Sequence, residues 1–334
     1  MKALVTGGGG FLGNAIVRRL IARGDEVTSL SRGSYPELDR LGVRHVRADL
    51  ADCDTVREAV RGHDTVFHVA AKAGVWGKRE DFWRANVEGT RNLLCSSIDA
   101  GVERFVYTSS PSVCFDGGDH KNASNDLPRA EQFLAPYPET KAVAEACVLD
   151  ANGEGGMATC ALRPHLIFGP GDPHILPRLV QSARDGKLAI VGPGDNEVTL
   201  TYVENGAIAH LAAADALKLD APHAGKAYFI GQPQAVQLWP WINSLLERLG
   251  ERPVTRKVST RAAYTAGLVM ESVWRGFRLR GEPRMTRFVA LQLATSHSYT
   301  MTPAERDFGY KPEVEMDEAL DRTVEWLRET TGTR

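Results

Sequence analysis

Apolar positions along this chain change their period in a regular way. A short continuous apolar run, "KALVT", gives way at Phe11 to the helical spacing of "FLGNAIVRRLIARG", and "EVTSLS" then returns to strand character. Further strand-like runs follow in "VRHVRADL", "DTVFHVAA", "RFVYTSS" and "ATCALRP", separated by helical segments such as "DTVREAVRG" and "FWRANVEGTRNLLCSSIDAG". Strands alternating with helices predict an α/β fold, a doubly wound parallel sheet with helices on both faces. In such sheets ligands lie beyond the carboxyl ends of the strands, so functional residues are expected at Thr6, Arg32, Asp49, Ala70, Ala71, Ser109, Ser110, Arg163 and Pro164. After Pro164 the pattern loosens into Gly- and Pro-rich loops, "GPGDPHILPRLV" and "VGPGDNE".

The turn between the first strand and first helix, "TGGGGFLG", carries Gly7, Gly10 and Gly13. Glycines at this spacing permit a tight turn, close backbone approach to a pyrophosphate, and close packing of helix on strand. The free N–H groups of the helix start then face phosphate. This places a dinucleotide cofactor on a Rossmann-type domain. The expected organisation is such a domain over residues 1–168, to which 198–231 return, and a smaller, discontinuous C-terminal substrate region made of 169–197 and 232–334. An NAD-binding unit carries an acid about 20 residues beyond the glycine loop, whereas NADP needs a cation for its 2′-phosphate. Here the tip reads "SLSRG", with Ser31 and Arg32 and no acid, which points to NADP(H).

A net charge of −2 with mixed signs gives no electrostatic footprint for nucleic acid. Five scattered cysteines without a Cys-x-x-Cys pair argue against a disulfide framework or a metal site and for a reducing cytoplasm. No stretch approaches the about 18 apolar residues of a membrane span, and no signal segment precedes the first strand.

"YPETKAVAEACV" places Tyr137 and Lys141 four residues apart, with Pro138 suited to the first helical position and Tyr137 at the mouth of the helix. The spacing is permissive and common. It gains meaning from the ordered set "TGGGGFLG", "DL", "HVAA", "WRANVEGTRNLL", "YTSS", "YPETK" and "RPHLIFGPGD", which together resemble the extended short-chain dehydrogenase/reductases over essentially the whole chain. The resemblance implies that Tyr137 is the catalytic acid/base, Lys141 its partner, Ser110 the hydroxyl holding the substrate oxygen, and Asn86 a helix residue of the proton relay. It also implies a cofactor site of Gly7, Gly10, Phe11, Leu12, Gly13, Ser31, Arg32, Asp49, Leu50, Ala70, Ala71, Lys141 and Pro164. The chemistry suits these residue types. Hydride arriving at a carbonyl leaves an alkoxide that needs a proton, which a phenol supplies, and a nearby ammonium brings the phenol towards working pH. Ser110 is chosen at the family position, over Ser109, with Ser112 as the fallback. Pro111 and Ser112 stand where related sugar-nucleotide dehydratases carry acids, which disfavours dehydration; epimerases remain open on the motifs alone.

"LTYVENGAIAHLAAADAL" and "MTPAERDFGYKPEVEMDEALDRTVEWL" resemble the 3β-hydroxysteroid and sterol-4α-carboxylate dehydrogenase branch, which acts at the 3-position of a bulky apolar skeleton. Within that branch, "AAKAGVWG" and "YTSSPSVCFDGGDH" are similar to bacterial reductases of long-chain olefin biosynthesis. Those enzymes reduce a β-keto acid bearing two long alkyl chains. The resemblance implies a long-chain acyl substrate, a homodimer, and a complex with other enzymes of the same pathway. Lys72, Ser112 and His174 are the candidate substrate residues, Lys72 for the carboxylate. His165 lies near the expected pocket, although a lone His is more often structural. The apolar, aromatic segment 262–293, with Tyr264, Leu268, Met270, Trp274 and Phe277, reads either as a core helix or as a lid that admits alkyl chains or meets lipid, which would make the protein peripheral to a membrane. A 3β-hydroxysteroid or sterol-4α-carboxylate dehydrogenase is the alternative enzyme, and a non-catalytic NADP-binding scaffold the alternative of another class.

Overall fold

The computed structural model describes residues 1–173 and 175–331. Seven strands, β1 (Lys2–Thr6), β2 (Glu26–Ser31), β3 (Arg44–Arg47), β4 (Thr65–His68), β5 (Arg104–Thr108), β6 (Ala158–Pro164) and β7 (Lys226–Ile230), form one sheet. They are all parallel, in the order β7-β6-β5-β4-β1-β2-β3. The order reverses at β1, so a crevice opens beyond the carboxyl ends of β1 and β4.

Six helices matter for the site: α1 (Phe11–Ala22), α2 (Cys53–Val60), α3 (Gly89–Asp99), α4 (Pro136–Asp150), α5 (Val203–Ala216) and α6 (Thr260–Gly276), with α7 (Arg287–Ala294) packed on the last. Alternate residues of β1 serve opposite faces, as the strand period requires. Ala3 and Val5 join Ile16 and Leu20 of α1 and Ala207 of α5, while Leu4 joins Val56 of α2, Leu93 of α3 and Val148 of α4. Both faces are thus covered, which is why the strands read as continuous apolar runs and not as alternating ones.

A small four-stranded mixed sheet brings Val236–Gln237, Glu197–Val198 and His297–Tyr299, all beyond Pro164, together with His120–Ala123 from the first half of the chain. The pair α6 and α7 forms an arm, drawn tight at Gly267, where a Cβ would stand 2.6 Å from the Thr286 carbonyl carbon. The arm roofs the loops that leave β4 and β5. The Arg275 guanidinium lies 5.2 Å from the Trp76 ring centre, and Phe288 meets Phe115 edge-on at 5.7 Å. Among the described residues no helix is long and apolar enough to cross a membrane.

Candidate active site

The glycine turn is a cradle that tolerates no added carbon. Gly7 has φ +72°, and its Cβ would sit 3.0 Å from the Ala70 Cα; a Cβ on Gly13 would sit 2.1 Å from the Gly7 carbonyl oxygen. Gly10 precedes α1 in an extended conformation with no side-chain cap, so first-turn N–H groups stay free to meet an anion. A dinucleotide pyrophosphate fits this arrangement. Phe11 starts α1 and approaches Gly171, while Leu12 is buried behind the turn. Tyr35 covers the turn from outside: a Cβ on Gly9 would fall 2.2 Å from its ring.

At the end of β2, Ser31 Oγ lies 3.0 Å from His45 Nε2, and Arg47 Nε donates to the Arg32 carbonyl at 3.0 Å, which braces the tip beneath the exposed Arg32 side chain. Asp49 Oδ1 accepts from the Ala51 N–H, and its other oxygen lies 3.8 Å from Arg84. Leu50 is buried under Gly89. The Ala70 N–H donates to Thr6 Oγ1 at 3.2 Å, Ala71 is exposed, and Pro164 is buried at the end of β6.

Tyr137, Lys141 and Glu145 recur at four-residue spacing and share one face of α4. The helix begins at Pro136, not at Pro138, so Tyr137 belongs to its first turn. Three successive residues at the end of β5 hold this face. The Thr108 carbonyl accepts from Lys141 Nζ at 2.5 Å, Ser109 Oγ donates to Glu145 at 2.6 Å, and the Ser110 hydroxyl opposes the Tyr137 phenol. Ser109 is thereby committed to Glu145, while the Ser110 hydroxyl lies 2.9 Å from that of Ser112 and also meets the Tyr137 phenol. Glu145 is fully buried and forms a two-pronged pair with buried Arg163, at 2.6 and 2.8 Å.

The Lys141 ammonium is buried 4.1 Å from the Tyr107 ring centre. Burial pulls its pKa down to about 7, and the Glu145 carboxylate works against that fall. The Tyr137 phenol is pushed up by burial, with the Ser110 hydroxyl opposing. This corrects the expectation that Lys141 lowers the phenol. Desolvation dominates at Tyr137, and the Lys141 ammonium, which donates to the Thr108 carbonyl, is not among the groups that move the phenol.

Asn86 lies in a π-helical turn, Trp83–Glu88, just before α3. Its Oδ1 accepts from the Lys72 N–H at 2.7 Å, and its Nδ2 donates to the Lys72 carbonyl and to Thr140 Oγ1 at 3.1 and 3.0 Å. These bonds pin the loop after β4. Lys72 Nζ itself lies 3.8 Å from Asp81 and 5.3 Å from the Phe82 ring centre. His165 is buried with Nδ1 at 2.6 Å from the Thr199 carbonyl, and burial holds its pKa down at about 4, which makes it structural. His174 lies outside the described residues.

His68, Glu145 and Tyr35 were not singled out by the sequence reading. His68 ends β4, with Nδ1 2.8 Å from Thr6 Oγ1 and Nε2 2.8 Å from Thr90 Oγ1. The Thr90 hydroxyl donates to the Asn86 carbonyl, so Nε2 carries the hydrogen and Nδ1 accepts from Thr6. Burial holds the ring neutral, with a pKa of about 3. A neutral tie thus joins the glycine turn to the Asn86 helix. Glu145 had a visible signal, an acid one turn beyond Lys141 within an apolar run.

Residues 4–259 match the model of the 3-beta hydroxysteroid dehydrogenase/isomerase family. A relative from Stenotrophomonas maltophilia (strain K279a), described as a 2-alkyl-3-oxoalkanoate reductase, is 48% identical over 96% of this chain and 98% of its own length. The mouse decarboxylating sterol-4-alpha-carboxylate 3-dehydrogenase is 37% identical over 97% of this chain and 90% of its own. Among solved structures, a dTDP-glucose 4,6-dehydratase from Streptomyces venezuelae with NAD bound superposes with a TM-score of 0.75 at 26% identity, covering 99% of this chain and 98% of that one.

Proposed function

Because the chain belongs to the 3-beta hydroxysteroid dehydrogenase/isomerase family and is an oxidoreductase, we propose that it reduces the 3-keto group of a long-chain 2-alkyl-3-oxoalkanoate to the 3-hydroxy acid, using NADPH, in olefin hydrocarbon biosynthesis. The observation that carries this reading is the near-full-length similarity to a reductase of that description, in a chain whose Tyr137, Lys141 and Ser110 converge beside a dinucleotide cradle. The glycine turn of Gly7, Gly10 and Gly13 would hold the pyrophosphate of a dinucleotide cofactor, which would supply the hydride for the carbonyl carbon. Ser110 donates to the carbonyl oxygen as charge grows on it, and Tyr137 delivers the proton that completes the alcohol. Lys141, held by the Thr108 carbonyl, fixes the phenol side of the site, and Asn86 holds the loop at Lys72.

Alkyl tails find shelter under the arm, where Phe115, Ala135 and Phe288 form an apolar cluster with Val75, Leu134 and Leu291. Leu268 and Phe277 were expected among the sheltering residues, but they face outward, 43% and 76% exposed. The substrate region then comprises 169–197 and 232–334, with the carboxylate near Lys72. We place the enzyme in the cytoplasm, as a homodimer able to associate with enzymes of the same pathway; five unpaired cysteines agree with a reducing compartment.

Arg32→Ala is expected to weaken NADPH by about 1.5–3 kcal/mol, the scale of a charge-assisted hydrogen bond, and to leave NADH nearly unchanged. Fluorescence titration with both cofactors reads this directly, and equal losses would remove Arg32 from 2′-phosphate recognition.

The reaction is tested by NADPH oxidation with 2-alkyl-3-keto acids of graded length, a plain methyl ketone, a 3-ketosteroid and a UDP-sugar. Each methylene sheltered from water contributes about 0.8 kcal/mol, so kcat/KM should climb with chain length until the pocket is full. Flat chain-length dependence, or faster turnover of the 3-ketosteroid, would move the assignment to the sterol reading that the mouse relative supports. Cofactor binding without any turnover would leave a scaffold.

A further inference from the structure

Tyr137, Lys141 and Glu145 mark one face of α4, and the next residue of that row is Leu149. Leu149 borders a hollow of about 320 Å³. Its other walls include Asn125 and Arg129 from the loop before α4, Arg163 of β6, and Lys226 and Ala227 of β7, the edge strand of the sheet. Leu149 stands twelve residues beyond Tyr137, about 18 Å along the helix axis, so the hollow is separate from the place where a keto group would be reduced.

The walls carry one sign of charge. Arg129, Arg163 and Lys226 line the hollow, and no acid does. Glu145, buried behind them, is a single carboxylate shared between two guanidiniums: it takes Nε and Nη2 of Arg163, lies 3.7 Å from Arg129, and accepts from Ser109 as well. Asp307, the acid that feels Lys226, is held by Arg306 and by the Tyr228 hydroxyl, each at 2.6 Å. Arg163 has a donor left over. The residue is 4% exposed, and its Nη1 is buried with no hydrogen-bond partner among the described residues. Around the guanidinium stand the Phe229 ring, its centre 5.1 Å from Cζ, and the Cys114 thiol, whose pKa burial pushes up to about 11, so that neither returns a negative charge. A buried charged donor without an acceptor is costly, and an anion at this place would remove the cost. Asn125 Oδ1 accepts from the Phe229 N–H at 3.3 Å, which leaves its NH2 as a further donor at the rim.

We infer that this hollow is a second binding site, which takes a small carboxylate carried on a compact apolar body. The carboxylate meets Arg129 and the spare edge of Arg163, and the apolar body lies against Leu127, Leu149 and Ala227. A planar guanidinium suits a carboxylate because it can offer two parallel N–H groups to the two oxygens. Arg129, its side chain 40% exposed, stands at the mouth and is free to turn from Glu145 towards the ligand. The site stands whichever substrate the enzyme reduces.

Calorimetric titration of the full-length protein, with cofactor present, tests this with sodium benzoate as the probe. Benzoate should bind at one site per chain, benzyl alcohol should not, and inorganic phosphate should bind more weakly because it lacks the apolar body. Arg129→Gln should weaken benzoate at least about tenfold, the loss of one charge-assisted hydrogen bond. Ala227→Leu keeps all three cations and narrows the hollow, and it should weaken benzoate too. Benzoate should also raise the melting temperature of Glu145→Gln more than that of the wild type, since it replaces the missing carboxylate beside Arg163; if that variant does not fold, the other two carry the test. Unchanged cofactor affinity in Arg129→Gln and Ala227→Leu confirms an intact fold. Three results would each overturn the proposal: no heat of binding beyond that of sodium chloride at equal ionic strength, phosphate binding more tightly than benzoate, or equal benzoate binding by wild type, Arg129→Gln and Ala227→Leu, which would put the probe elsewhere on the protein. Benzoate binding is read without turnover, so a failed substrate panel leaves the site standing, and failed binding leaves the reductase reading standing.

Discussion

Tyr137→Phe is expected to lower kcat by at least about a hundredfold while leaving cofactor affinity unchanged, because general acid catalysis contributes about 10² to 10⁴ and the lost oxygen is the proposed proton donor. The ring stays in place on the first turn of α4, so packing and the glycine cradle are undisturbed. Burial already favours the protonated phenol. In the reducing direction this is the form that must be present at the start of the step, so the environment of Tyr137 suits a proton donor better than a resident base. Single-turnover kinetics with a fluorescence titration of the cofactor separate the two quantities. A variant within threefold of wild type would take Tyr137 out of the mechanism.

Glu145→Gln is expected to destabilise the protein by about 3–5 kcal/mol, the cost of leaving one member of a buried ion pair without its counter-charge. Glu145 is completely buried, Arg163 nearly so, and Arg129 at 3.7 Å adds a further positive charge. The change also removes the carboxylate that opposes the fall of the Lys141 pKa, so Lys141 loses its proton at lower pH and activity declines from a lower pH than in the wild type. Urea unfolding measures the first effect and a pH–rate profile the second. Replacing Arg163 by Met in the same chain should restore much of the stability, since the stranded charge is then gone. A loss under about 1 kcal/mol would show that Glu145 and Arg163 behave as a solvated surface pair.

The sheet was legible because its strands are covered on both faces and so read as continuous apolar runs, with a glycine turn joining the first of them to α1. Tyr137 and Lys141 were legible because a helix turns four-residue spacing into adjacency. What the sequence concealed depends on contacts far along the chain. His68 looks like one more strand residue until Thr6, 62 positions away, and Thr90, 22 positions away, close around it. Ser109 and Ser110 are chemically equivalent on paper, and only Glu145 reaching back from α4 separates them. Lys72 stood out as a candidate for the substrate carboxylate, and nothing in its neighbourhood announced that Asp81, nine positions on, lies within ion-pair distance. For α6 the periodicity shows a stripe and does not say which side the neighbours occupy. Its outward apolar face became visible only when α7 was seen packed on Gly267.

The π turn at Trp83–Glu88 imposes a rule of length on this part of the chain. Such a turn houses one residue more than a regular helix uses for the same advance. Asn86 lies within it and faces Lys72 and Thr140, whereas Thr90 lies beyond it and faces His68. Each residue of a regular helix advances about 100° around the axis. Dropping one residue would therefore rotate one partner out of alignment with the other, whatever side chains were present. The distance between the loop after β4 and α3 is fixed by counting and not by composition, so this segment accepts substitutions on its outer side far more readily than any change in its number of residues.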